Sequence, residues 1–94
     1  MLEEKPIKLE KVSKNFLDRE VLRLAIIAEL DAVTLYEQLA ATTENKAIRE
    51  VLLDVAKEEK THVGEFQTML LRIDAEQVEE LKHGKKEVEE DLGL

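Results

Sequence analysis

From Lys14 to Ala41 the sequence contains no glycine and no proline, and its apolar residues recur at helical spacing. Phe16, Leu17, Val21, Leu22, Leu24, Ile26, Ile27, Leu30, Val33, Tyr36 and Leu39 follow the i, i+3, i+4, i+7 pattern of an amphipathic helix. The apolar stripe is wide, so this helix is expected to meet more than one neighbour. Thr42 and Thr43 interrupt it, and either could cap a second helix with Glu44 in its first turn. A second apolar row then runs through Ile48, Val51, Leu52, Val55, Val63, Phe66, Met69, Leu70 and Ile73. Two such segments, expected at 14–41 and 44–72, would each extend roughly 42 Å. The short connection forces them antiparallel.

A third helix is expected at 75–92, with Asp74 as its N-cap and Gln77 three residues on, as in a capping box. Its apolar row of Val78, Leu81, Val88 and Leu92 is thin. Gly84 is a candidate kink, and Gly64, inside the second helix, is a candidate close-packing point. Lys82, His83, Lys85 and Lys86 form a short basic run that reads as a solvated face. Residues 1–12, with the sole proline at Pro6, read as an N-terminal arm, and 13–94 as one domain with Ser13 as the first N-cap. The fold class is therefore all-α: an antiparallel two-helix hairpin plus a shorter C-terminal helix. A hairpin of long helices has only one contact seam, and a chain of 94 residues buries a smaller fraction of its surface than a large one. The length matches a four-helix-bundle element, but only half a bundle is present, so homodimerisation is the simplest completion.

Charge and composition narrow the function. The formal charge is −8, from 22 acidic and 14 basic residues. That argues against nucleic-acid binding, which needs basic surface at the phosphates, and favours attraction of cations. No uncharged run approaches the roughly 20 residues of a membrane span, and no apolar signal region follows the first residues. Hydrophobic residues make up 44% of the chain, too many for a disordered acidic tail. The absence of cysteine excludes a disulfide framework, a thiolate metal site and a thiol nucleophile.

Most acidic residues fall on polar faces, but two do not. Glu29 has Leu22 and Tyr36 at i±7, with Ile26 and Val33 at i−3 and i+4. Glu59 has Leu52 and Phe66 at i±7, with Val55 and Val63 at i±4. His62, three residues after Glu59, shares its face and has Val55 and Met69 at i±7. A carboxylate inside an apolar row is costly unless paired, protonated or metal-bound. Iron(II) and manganese(II) accept mixed oxygen and imidazole ligands. One chain offers two carboxylates and one histidine; a twofold axis doubles this to a Glu from each of two helices and Glu-x-x-His from each of the other two, the di-iron carboxylate set. Glu58, at i−4 from His62, and Glu65 are the competing carboxylates. The non-enzymatic alternative is a helical dimer in which Glu29, Glu59 and His62 form a buried polar network that sets register.

The segments Ala25–Val33 (AIIAELDAV), Leu35-Tyr36-Glu37 and Val55–Phe66 (VAKEEKTHVGEF) resemble the encapsulated ferritins, ferritin-like half-bundle proteins related to rubrerythrin. The resemblance covers roughly residues 14–92. It implies an iron(II)-oxidising ferroxidase with a di-iron centre at the dimer interface, two irons per dimer, held by Glu29, Glu59 and His62 of each chain. It further implies that Tyr36 lies close to that centre and that Asp31 belongs to an outer iron-entry site. Ala28 and Leu35 stand where some relatives carry Glu and Trp. Dimers of the family assemble into a ring, typically a decamer, enclosed by an encapsulin shell protein in a cytoplasmic nanocompartment. Cargo members carry a C-terminal targeting tail rich in Gly, Leu and Ser; the ending Asp91-Leu92-Gly93-Leu94 shows no complete tail of that kind, and other relatives are fused to the shell protein. A rubrerythrin-like peroxide reductase is the second enzymatic reading, and the lack of paired cysteines for electron supply counts against it.

Overall fold

The computed structural model describes residues 8–94, apart from the side chains of Lys11 and Asn15. Pro6 and the first seven residues of the expected arm lie outside the described residues; its remainder forms a short 3-10 turn, Leu9–Lys11. Three helices follow: α1 (Lys14–Thr42), α2 (Lys46–Ile73) and α3 (Ala75–Leu92). There is no strand among the described residues. The helix boundaries match the periodicity within two residues.

The turn between α1 and α2 shows how local chemistry ends one helix and starts the next. Ser13 holds the N-cap position of α1 without a side-chain cap bond. At the other end, Arg49 reaches back from α2. Its Nε donates to the carbonyl of Ala40 at 3.2 Å and its Nη2 to that of Thr43 at 2.7 Å, filling acceptors that a helix C-terminus leaves without intrahelical donors. The cap of α2 is Asn45 rather than either threonine: its Oδ1 accepts from the amide of Ile48 at 3.1 Å. Thr43 instead accepts from the Asn45 amide through Oγ1 at 3.2 Å. Glu44 therefore lies in the turn, and the first turn of α2 carries no acid.

Asp74 alone separates α2 from α3. It caps α3 as expected, with Oδ1 accepting from the amide of Gln77 at 3.0 Å, and its Oδ2 accepts from Arg23 Nη2 of α1 at 3.0 Å. It is the buried charged side chain among the described residues, 4% exposed. The amide of Gln77 above all, then Arg23 and the charge of Arg19, hold the Asp74 carboxyl below its ordinary value of 3.8, against the opposing effect of burial. Gly84 neither kinks nor ends α3, which continues to Leu92 and closes at Gly93 in the left-handed conformation (φ 66°). The amide of Leu94 donates to the carbonyl of Glu89 at 2.9 Å, a Schellman-type end. Gly64 faces open space, with nothing within 4 Å of where a Cβ would stand, so the close packing expected there is not made within this chain.

α1 and α2 pack along their length, but among the described residues the buried apolar set is only Val33, Ala40, Ala56 and Leu70. The two flanks of the hairpin differ. On one, α3 approaches, and Ile26, Ile27, Leu70, Leu71 and Leu81 line an apolar recess between the three helices. On the other, Val21 and Leu22 of α1 and Met69 and Ile73 of α2 line an open groove. Toward the turn, Ile48, Val51 and Leu52 continue the apolar surface of α2. Val51, Met69 and Ile48 are each more than half exposed. The single chain thus leaves uncovered most of the apolar surface that its periodicity assigns to a core.

Two stability outcomes follow. Asn45→Ala should destabilise the fold by about 1 kcal/mol through loss of the cap, read as a lower denaturant midpoint with unchanged slope. Because the Asp74 carboxyl is held below 3.8 in the folded chain, its contribution is complete above 3.8 and lost as pH falls through the lowered value. Thermal melts of the parent and Asp74→Asn should differ at neutral pH and converge on acidification below that range.

Candidate metal centre

Glu29 sits mid-way along α1, and Glu59 and His62 sit on the facing stretch of α2. The antiparallel pairing brings them level, so residues 30 positions apart in sequence converge across the seam. One donor atom from each of Glu29, Glu59 and His62 lies within 4.8 Å of the other two, and all three side chains are half-buried. Nδ1 of His62 is 3.4 Å from Oε2 of Glu29 and 3.3 Å from Oε2 of Glu59.

The triad is chemically incomplete as it stands. One imidazole nitrogen carries at most one proton, yet two carboxylate oxygens converge on it. The geometry of a hydrogen bond is met toward Glu59, and Oε2 of Glu29 is buried without a hydrogen-bond partner among the described residues. No lysine or arginine among the described residues pairs with either glutamate; the nearby Lys60 is taken by Glu37 at 3.1 Å. Two carboxylates at this separation repel each other when both are ionised, and a buried oxygen without a donor is costly. A cation between them relieves both conditions. Two carboxylate oxygens and a neutral imidazole suit a divalent ion such as iron(II), manganese(II) or zinc. The residues present therefore fit a metal.

The other candidates fall elsewhere. Glu58 and Glu65 are exposed on α2 and outside the donor group. Asp31 is half-buried on α1. Two residues of α-helix turn it about 160° from Glu29, which separates it from the triad on this protomer. Tyr36 is half-buried two turns beyond Glu29 on the same face. His83 is exposed and lies 3.5 Å from Glu80 and 3.2 Å from Glu87 through different ring nitrogens, as befits a solvated face. The pairing of Arg23 with the Asp74 cap had no signal in the sequence, since Arg23 belongs to no motif and the two are 51 residues apart.

His62 also marks the edge of the uncovered flank. Val55 and Met69, one heptad to either side of it, share its side of α2, and Met69 lines the open groove. The triad thus lies beside apolar surface that the chain itself does not cover.

Long antiparallel helices with Glu on one and Glu-x-x-His on the other define the ferritin-like class of helical proteins. The rubrerythrin family profile matches residues 20–92, and the chain belongs to that family. It is 61% identical over 75 residues to the ferritin-like-encapsulin shell fusion protein of Pyrococcus furiosus, covering 80% of this chain and 22% of that protein. It is 36% identical over 81 residues to the encapsulin nanocompartment cargo protein EncC of Myxococcus xanthus, covering 83% of this chain and 60% of that one. The chain thus spans about a fifth of the first relative's length and three fifths of the second's. The crystal structure of the encapsulated ferritin domain from Pyrococcus furiosus superposes with a TM-score of 0.80 at 52% identity, over 100% of this chain and 90% of that one. The family resemblance carried by the sequence motifs agrees with these matches. No helix among the described residues is long and apolar enough to cross a membrane.

A bound divalent ion should raise the melting temperature by linkage, by about 2.7 kcal/mol of stability at a hundredfold excess over Kd. Titration with cobalt(II) or manganese(II) in a thermal-shift assay should show this for the parent chain. Glu29→Ala, Glu59→Ala and His62→Ala should each lose most of the shift, whereas Glu58→Ala should keep it.

Proposed function

We propose that this chain is a ferroxidase protomer that oxidises iron(II) to iron(III) at a centre built from Glu29, Glu59 and His62 of two copies. The observation that carries the reading is the convergence of these three donors beside an uncovered apolar flank. A twofold partner laid on that flank would bury Val21, Val51, Met69 and Ile73 and bring a second triad opposite the first. Four carboxylates and two imidazoles would then serve two irons per dimer. The missing half of the helical bundle and the missing ligands are supplied by the same contact.

Iron(II) is the substrate, and two bound ions give up an electron pair to dioxygen or peroxide. The chain's own groups set the conditions. Glu29 and Glu59 hold negative charge where positive charge increases on oxidation, which lowers the barrier by preorganised electrostatics. His62 adds a neutral donor, so that a pair of triads brings four negative charges to two divalent ions. The helical backbone of α1 and α2 holds the donors at fixed spacing, so little reorganisation accompanies the change in metal charge. Tyr36, on the Glu29 face, is the residue we place nearest the centre after the ligands. Asp31 is the residue we assign to an outer approach site for iron, with the net charge of −8 concentrating cations around the protein.

The relatives described as a shell fusion and as encapsulin cargo support an encapsulin shell as the partner and its interior as the place of action. For the assembly we propose a ring of dimers, a decamer. A peroxide-reducing role is the second reading, favoured by the rubrerythrin family match. It needs an external electron donor, because the chain carries no cysteine for a rubredoxin-type centre.

The test is oxygen-dependent oxidation of iron(II), followed by absorbance of the ferric product. Glu59→Ala and His62→Ala should abolish the rate above that of iron(II) alone in buffer, with helical content unchanged. Parent-like rates in either variant would refute the assignment. Turnover of peroxide with an NADH-linked reductant, in place of iron consumption, would select the second reading.

A further inference from the structure

Helix α3 stands away from the hairpin although its sequence gives it reason to lie down. A hairpin about 43 Å long sits in a molecule of 47 × 43 × 23 Å. Past Leu81, α3 has left α1 and α2: Val88 and Leu92 are 52% and 68% exposed. Yet Val78, Leu81, Val88 and Leu92 form one face, and the flank of the hairpin on that side still offers Ile26, Ile27 and Leu71 in the recess and exposed Leu30 and Leu53 beyond it. The connection is a single residue, and burying apolar surface is favourable. The exit angle of the helix is set at that one residue, Asp74, with φ −131° and ψ 84°.

The contact in the right place is the one between Arg23 and Asp74. Asp74 is the whole linker, and its two oxygens are used differently: Oδ1 caps α3 through Gln77, and Oδ2 takes Arg23 Nη2 at 3.0 Å. The first bond fixes where α3 begins. The second ties that beginning to the side of α1. Arg23 also lines the recess beside Gln77 and Leu81, so its side chain stands against the first two turns of α3 at the point where the helix leaves the hairpin. Its other acidic neighbour, Glu20, is at 3.8 Å on the same helix, a weaker contact by geometry that leaves the Asp74 bond in place. A charge-assisted bond to a buried carboxylate is stronger than an exposed ion pair.

We propose that the Arg23–Asp74 pair is a hinge lock that holds α3 in its projecting position and keeps it from folding back over the recess. The lock is separable from the cap. Arg23→Met removes it and leaves Asp74 on Gln77. Asp74→Asn keeps an oxygen for Gln77 and presents an amide to Arg23, donor against donor.

The absence of cysteine makes the experiment direct. The full chain carrying Glu50→Cys on α2 and Lys86→Cys on α3 is spin-labelled and diluted into unlabelled chain, so that only intrachain distances are read. The parent should give one narrow distance distribution. Arg23→Met and Asp74→Asn should each at least double its width and add a population at shorter distance, with far-ultraviolet circular dichroism unchanged. A distribution as narrow as the parent's in either folded variant overturns the proposal. Should Arg23→Met lose helical content, Asp74→Asn, which retains the cap, decides alone.

Discussion

Two long helices packed against each other share one seam, and one seam is too little. The apolar stripe on α1 is wider than α2 can cover, and the row on α2 continues past the seam onto an open flank. Among the described residues, four small or medium apolar side chains, Val33, Ala40, Ala56 and Leu70, are all that the hairpin buries. A helix that is apolar over most of its circumference belongs inside a larger assembly. A domain of this size rarely stabilises itself on so small a core. The same shortage governs the metal centre. Its three donors sit beside the surface that needs a neighbour, so in the proposed dimer covering the flank and completing the ligand set would be one structural event.

The electrostatics point the same way. Glu29 and Glu59 face each other across the seam with one imidazole between them. Elsewhere Lys60 pairs with Glu37 and Arg23 with Asp74. At the triad the available cations go elsewhere, and a buried oxygen of Glu29 has no donor. A register-setting polar network would be expected to satisfy its members. An added cation would satisfy all three members at once, which is what favours the metal reading over the purely structural one.

Much of this was legible in the sequence because it depends on periodicity. Helix boundaries, the antiparallel hairpin and the convergence of Glu29, Glu59 and His62 all follow from counting residues at 3.6 per turn. What escaped depends on individual side chains choosing among near-equal options. Thr42, Thr43 and Asn45 are all competent caps; Asn45 prevails, with Arg49 stapling the Ala40 and Thr43 carbonyls and Thr43 itself accepting from the Asn45 amide. Gly84 is tolerated because α3 is exposed there and has capped ends on both sides. Gly64 faces open space, so its missing side chain has no packing consequence within the chain. The Arg23–Asp74 bond could not be read at all, because it joins two elements whose relative angle the sequence pattern does not specify.

That last point bears on how the two flanks differ. The flank beside the triad is open along the whole hairpin and is apolar on both helices, which suits a broad, twofold contact. The opposite flank is punctuated: α3 approaches at one end, Arg23 and Gln67 border the recess, and only Leu30 and Leu53 are exposed beyond it. If α3 lay back along this flank, the chain would become a closed three-helix unit with its apolar row consumed internally. With α3 projecting from Asp74, the same row stays available on an arm, while the flank that carries the triad is unaffected. The fold therefore presents two different surfaces on two sides of one hairpin, with the buried carboxylate of Asp74 at the root of the second.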